Sequence, residues 1–205
     1  MKLQPPFRAA KIDDCYKIAE LFRMSSDGVA DYTWTTLQAD YPGLSLIEIG
    51  AKRYAREQTN FSYQNCIVAE RNDEIIGMMV TFPSAEVEEK AANGSQTTHE
   101  PDDSPSEPDV LAPYNMEAPG TWYICAIALF PEFRGQGLGT QFLSIARQQA
   151  QEQGYGELSL LCFEQNTGAK KLYDRNGFKV IDRATVVPHP LIHHTGEVLL
   201  MTAPV

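Results

Sequence analysis

The stretch that most constrains this chain runs from residue 121 to residue 139. Residues 121–130 (TWYICAIALF) are almost wholly apolar, and after Pro131-Glu132-Phe133 comes Arg134-Gly135-Gln136-Gly137-Leu138-Gly139. An apolar run of this length bounded by turn residues reads as a strand buried on both faces. Beyond the glycines, Leu138, Phe142, Ile145, Ala146 and Gln149 recur by threes and fours, which predicts an amphipathic helix over 140–153, with Gly154 as its C-cap. A central strand that passes through a Gly-rich turn into a helix belongs to a mixed α/β architecture. The alternating glycines leave backbone N–H groups uncovered by any Cβ. The helix that follows opens with unpaired donors and the positive end of its dipole. Such a turn is a phosphate cradle by construction. Arg134 adds a full positive charge to it, or else forms an ion pair with Glu132.

The spacing narrows the ligand. The run is not Gly-x-x-x-x-Gly-Lys-Ser/Thr, so it is not a nucleoside triphosphate loop. It is Gly-x-Gly-x-Gly rather than Gly-x-Gly-x-x-Gly, so it fails the dinucleotide fingerprint by one residue. Around it, a helix is predicted from Asp13, and 7–10 is only a short apolar patch. Residues 29–34 read as a polar connection with aromatics, and 46–58 as a second helix. Residues 65–70 and 75–82 read as an antiparallel hairpin turning at 71–74. A strand over 158–163, a short helix over 167–176 and two final strands over 178–187 and 197–202 complete the pattern.

Composition sets limits. The chain has 205 residues, 17 Lys+Arg and 27 Asp+Glu, for a net charge of −10. That balance argues against nucleic-acid binding by bulk positive charge and weakly favours a cationic partner. Residues 84–120 carry five prolines and nine acids against Lys90 alone, a net −8 of that total. They read as an acidic, Pro-rich, solvated insert within one domain spanning 1–205, because 97–108 has no apolar residue able to build a core. Cys15, Cys66, Cys125 and Cys162 are scattered, without a CxxC pair, and read as buried reduced thiols. No metal site is expected. No apolar run reaches the ~20 residues of a membrane helix, and 1–6 lacks a signal-peptide core. The expectation is a cytoplasmic protein without a membrane partner.

Residues 134–139 match the Arg/Gln-x-x-Gly-x-Gly/Ala signature of the GNAT acetyltransferase superfamily, and Ala126-Ile127-Ala128-Leu129 before Pro131-Glu132-Phe133 resembles that family's fourth strand and turn. Downstream, Asn166, a helix carrying Ala169 and Tyr173, and then Gly177-Phe178 resemble the family's next unit. The resemblance implies a central, mostly antiparallel sheet with splayed fourth and fifth strands flanked by helices. It implies acetyl-CoA as co-substrate. On that reading the amides of Gly135, Gln136, Gly137, Leu138, Gly139 and Thr140 hold the pyrophosphate, with Arg134. Ile127, Ala128 and Leu129 pair with the pantetheine arm like an added strand. Asn166, which could equally cap the helix after it, and Ala169 border that arm. Tyr173 protonates the departing thiolate, and the family's habit implies a homodimer.

The chemistry can also be argued from the groups alone. An amine must lose a proton before it attacks a thioester. The oxyanion formed needs a donor such as a backbone N–H near Leu129. A phenol of pKa about 10 is a usable acid for a thiolate of pKa about 8.5. For the base, Glu117, Tyr123 and Glu164 are candidates. The resemblance implies an acceptor pocket built by the first helices and the last hairpin, which points to Asp27, Asp31, Tyr32 and Trp34; Asp31 beside two aromatics suits a cationic amine, or the stretch is a polar connection with packed aromatics. His189, His193 and His194 read as an exposed loop cluster, with a base role open to them if the loop folds over the site. The expectation is acetyl transfer to a small primary amine. The alternatives are a protein N-terminus or lysine as acceptor, or a non-catalytic acyl-CoA-binding module.

Overall fold

A computed structural model describes residues 2–84 and 109–205. Seven strands form one sheet: β1 (Phe7–Ala9), β2 (Cys66–Arg71), β3 (Glu74–Pro83), β4 (Trp122–Leu129), β5 (Glu157–Phe163), β6 (Lys179–Thr185) and β7 (Glu197–Pro204). Their order is β1-β2-β3-β4-β5-β7-β6. Every pairing is antiparallel except β4–β5, which is parallel. Helices α1 (Cys15–Ser25), α2 (Val29–Thr36) and α3 (Leu46–Tyr54) precede the hairpin, α4 (Leu138–Glu152) joins β4 to β5, and α5 (Thr167–Arg175) follows β5. The mixed α/β expectation holds.

The sheet separates two cores. On one face α4 and α5 pack through Phe142, Leu143 and Tyr173 against Ile124, Leu160 and Cys162. On the other, α1 to α3 pack through Ile18, Leu21 and Ile49 against Val68, Met78 and Ala128. The β2–β3 turn at Asn72-Asp73 has φ of 53° and 63°. Both signs match a two-residue turn whose twist suits a hairpin.

Five expectations need correction. Residues 29–36 are a helix, because Ala30 and Trp34, one turn apart, bury against α3; a Cβ on Gly50 would lie 2.5 Å from the Trp34 ring. The short patch at 7–10 includes an edge strand, β1, paired with β2. α3 stops at Tyr54, short of residue 58, and α4 begins two residues early because Gly137 (φ 82°) is its N-cap. Most of the acidic insert, residues 85–108, lies outside the described residues. Its return leg is not merely solvated: Val110, Tyr114 and Met116 pack beside Val186, Ile192 and Val198. Both ends are tied, since the Ser84 amide donates to the Thr121 carbonyl (3.0 Å) and the Ser84 hydroxyl to that of Ala118 (2.8 Å).

Strand β4 carries a bulge. Val80 pairs with Ala126 but Thr81 with Ile124, so Cys125 is the extra residue. The β4–β5 ladder ends at that point, its last pair being Ile124 with Leu160. A bulge bends its strand and increases its twist. Beyond it, residues 125–129 of β4 and 161–163 of β5 have no pairing with each other. This is the splay implied by the resemblance.

Candidate active site

The glycine turn sits at the end of the splay. Gly135 and Gly137 have φ of 73° and 82°, and a Cβ on Gly135 would meet nothing within 4 Å. The Gln141 amide is the first after Arg134 to find a backbone acceptor, Gly137. Among the described residues, the amides of 135–140 therefore have no hydrogen-bond acceptor, and they gather at the N-terminus of a 15-residue helix. Gly139 has a different duty: a Cβ there would lie 2.9 Å from Leu172, so the glycine lets α5 approach α4. The arrangement fits an anion.

Arg134 does not face that turn. Its Nε donates to the Leu129 carbonyl (3.0 Å) and a terminal nitrogen lies 3.7 Å from the Met24 sulfur. The Leu129 carbonyl belongs to the stretch of β4 with no β5 partner, and the guanidinium occupies it. Neither does Arg134 pair with Glu132. Gln136 is tied on both sides, accepting from Arg71 (3.3 Å) and donating to the Glu132 carbonyl (3.2 Å). Ile127, Ala128 and Leu129 pair with β3 but have no partner on the β5 side. Asn166 is the N-cap of α5, its side-chain oxygen accepting from the Ala169 amide (3.1 Å), so its acceptor is already used. That is the capping role the sequence left open.

Tyr173 lies on the α4/α5 face, 8% exposed, its ring 5.6 Å from that of Phe178. Burial pushes its phenol above the ordinary range, and the nearby Cys162 thiol adds to the effect. The hydroxyl makes no hydrogen bond among the described residues. It stays protonated at neutral pH, as a proton donor must. Burial pushes Tyr123 well above the ordinary phenol range. Glu117 and Glu164 are both exposed.

On the opposite face a cleft of about 390 Å³ is lined by residues that include Glu20, Arg23, Asp27, Asp31, Phe130 and His193. Asp31 lines it, but Arg23 holds its carboxylate (2.5 Å), so it is not a vacant anchor for a cation. Tyr32 turns edge-on to His189 with ring centroids 4.7 Å apart. Trp34, 3% exposed, is core rather than wall. Asp27 is the acid the sequence underweighted. Lys17 holds Glu20, whereas Asp27 meets two imidazoles, His194 Nε2 at 3.3 Å and His193 Nδ1 at 3.7 Å. The histidine loop is not simply exposed, because His194 stacks on Phe163 with centroids 4.3 Å apart. Tyr114 at this site had no signal in the sequence, since it lies near no motif, and Phe163 was legible only as the end of a strand. Among the described residues, no group of three or more His, Cys, Asp or Glu could hold a metal ion, and no helix is long and apolar enough to cross a membrane.

Comparison with known proteins agrees with this geometry. Crystal structures of an acetyltransferase (TM-score 0.65, 22% identity, 97% of this chain and 98% of that one) and of an N-acetyltransferase from Staphylococcus aureus Mu50 (TM-score 0.62, 19% identity, 96% and 99%) share the fold. So does yncA from Salmonella typhimurium, solved with its cofactor acetyl-CoA (TM-score 0.57, 14% identity, 97% and 92%). A curated relative, the uncharacterized N-acetyltransferase YycN of Bacillus subtilis (strain 168), is 37% identical over 60 residues, which are 29% of this chain and 38% of that relative's length. The family model described as the acetyltransferase (GNAT) family matches residues 30–178, most of the chain. The strand, glycine turn and helix that form the anion cradle lie inside that match, and the chain belongs to the GNAT acetyltransferase family.

Proposed function

We propose that this chain, acting as a single domain, transfers an acetyl group from acetyl-CoA to a small primary amine. One observation carries the reading. A cluster of acceptor-free amides at the N-terminus of α4 opens beside a strand edge that the Cys125 bulge has released from its neighbour. A diphosphate and an amide-bearing arm need those two features in that order along one strand. Bound acetyl-CoA supplies an activated acetyl thioester.

The chain's own residues do the rest. The amides of Gly135, Gln136, Gly137, Leu138, Gly139 and Thr140 hold the diphosphate. The edge at Ile127, Ala128 and Leu129 aligns the arm, and an amide of this edge donates to the carbonyl oxygen as charge grows on it. Asn166 contributes its side-chain amide nitrogen, with Ala169 beside it. Tyr173 gives its phenolic proton to the leaving sulfur. Arg134 reaches the diphosphate only by releasing the Leu129 carbonyl. Asp31 and Tyr32 lie on the acceptor side, and Trp34 supports that side from the core. Exposed Ile181 on the edge strand β6 is where a homodimer would form, and the cytoplasm, which holds acetyl-CoA, is the compartment this reading assigns.

The test is thermal stability with acetyl-CoA, CoA, ATP and NAD in parallel, since a ligand that binds only the folded state must raise it. Protection by both CoA forms alone is expected. Free-thiol release is then followed with amino acids, peptides, aminoglycosides and 1,4-diaminobutane as acceptors. Protection without turnover of any amine would make the chain a CoA-binding module, and no protection would leave only a shared fold.

A further inference from the structure

The reading above names an acid and leaves the base unassigned. We infer that His194, set by Asp27 and Phe163, takes the proton from the acceptor's ammonium group. This rests on the acetyl-transfer reading.

The first observation is where the pair lies. Along β5, Leu160 and Cys162 point into the core that contains Tyr173, while Leu161 and Phe163, on the other face of the strand, pack against a third, smaller cluster around Val186, Ile192 and Val198. His194 stacks on Phe163, so it stands across the sheet from Tyr173. Phe163 lies beyond the last β4–β5 pair, on the splayed part of its strand. The acceptor cleft reaches the other splayed strand through Phe130. A thioester held in the splay thus has Tyr173 on one side and the Asp27–His194 pair on the other. In that arrangement the proton leaves the nucleophile on one side and reaches the departing sulfur from the other.

The second observation is that Asp27 is left incomplete. Its backbone has φ of 48°, unusual for a residue other than glycine. Among the described residues its Oδ2 is buried without a hydrogen-bond partner, although His194 Nε2 is only 3.3 Å away, off the hydrogen-bond axis. Beside it the Tyr114 hydroxyl is likewise buried with no partner among the described residues; burial and then the Asp27 charge push that phenol up to about 12. Buried polar atoms without partners are rare and call for a reason. A small turn of the ring brings Nε2–H onto Oδ2. That contact fixes the tautomer with Nδ1 free to accept a proton, and it strengthens when the ring becomes an imidazolium. The other groups around the pair are His193 on the same loop, Glu164 at the end of β5 and Arg23 and Asp31 in the cleft.

The loop is held for this task. The His193 amide donates to the Asp27 carbonyl (3.2 Å), and a Cβ on Gly28 would lie 1.6 Å from the Leu191 carbonyl oxygen. The α1–α2 turn and the β6–β7 loop therefore touch backbone to backbone.

The protons balance. The ammonium gives one proton to Nδ1 of His194. The nitrogen lone pair then forms the N–C bond and the C–S pair leaves on sulfur, which takes the Tyr173 phenolic proton. The nitrogen sheds its second proton to solvent, Tyr173 regains one from solvent, and His194 releases its own there. One proton is freed for each acetyl group transferred.

The test compares H194Q with the parent on two probes, 1,4-diaminobutane, an ammonium at neutral pH, and methoxyamine, which is unprotonated there and needs no base. Thiol release with the diamine should fall about 10²–10⁴-fold, while methoxyamine should lose less than about tenfold. Equal loss with both probes would reduce His194 to a structural residue and overturn the inference. The second readout needs no turnover. Nitrogen-15 NMR of the full chain should show the Nε2–H tautomer of His194, mixed with the Nδ1–H form in D27N. An Nδ1–H tautomer in the parent, or no change in D27N, would overturn the inference. If the parent turns over neither probe while the tautomer is as expected, the transfer reading fails and the Asp27–His194 coupling stands.

Discussion

Replacing Tyr173 with Phe separates its structural role from its chemical one. The ring is 8% exposed and packs on Phe178, and Phe keeps that packing. The lost hydroxyl has no hydrogen-bond partner among the described residues. Its removal should therefore change stability by less than about 0.5 kcal/mol, because no partner is left stranded. For a chain of this size that is a shift in Tm within about 2 °C. The chemical cost is far larger. Protonation by a positioned acid is worth about 10²–10⁴ in rate, or roughly 2.7–5.4 kcal/mol at 1.36 kcal/mol per decade. The assay is free-thiol release at saturating acetyl-CoA and 1,4-diaminobutane, with CoA affinity measured by calorimetry on the same preparations. Unchanged CoA affinity and Tm with a kcat lowered at least 100-fold are expected. The pH dependence has a definite sign. A phenol raised by burial stays protonated to higher pH than a free one, so the parent's alkaline fall in kcat should begin above pH 10 and be absent from Y173F. An unchanged kcat would refute the acid role, and a lost Tm or CoA affinity would show that the hydroxyl has a structural duty the packing does not reveal.

The remaining predictions concern other parts of the molecule. G28A forces a side chain onto a φ of 98° and a Cβ to within 1.6 Å of the Leu191 oxygen. The backbone term alone costs about 1–2 kcal/mol, so Tm should fall by several degrees and amine turnover should fall with it, as read by differential scanning fluorimetry and thiol release. Asp14 is raised by its own burial, but the paired Arg8 guanidinium (2.7 and 3.1 Å) and the Lys11 amide outweigh that and hold it below its usual 3.8. A carboxyl depressed in the folded state stabilises fully above its unfolded value and loses that stability as pH falls through the folded one. The difference in urea midpoint between parent and D14N should thus be constant at neutral pH and shrink below about pH 4. Burial pushes Cys15 up to about 11 and Cys125 and Cys162 up to about 12, with Cys66 higher still. All four should react with a disulfide reagent at pH 8 at least 100-fold faster in urea than in the native state, and native-state treatment should leave thiol release from acetyl-CoA intact.

The sequence by itself determined the half of the molecule where local signals agree. A continuous apolar strand, glycines at alternate positions and a 3.6-residue apolar period each specify β4, the turn and α4, and none depends on distant contacts. Asn166 and Gly177 bracket α5 in the same local way. Helix α2 was hidden because Val29, Tyr32, Thr33 and Trp34 are poor helix formers; burial of Trp34 over Gly50 overrides that preference. The Cys125 bulge left no mark, since a one-residue shift is defined only against the partner strand β3. Arg134 sat in the motif, yet its direction was decided by a carbonyl that becomes available only when the strands part. Asp27 and His194 are 167 positions apart, and their contact exists because two connecting loops close on each other at one end of the sheet. Local pattern sets where the chain turns and what it can bury. Which polar groups are left facing one another, and so which of them can share a proton, depends on packing between segments that no local pattern relates.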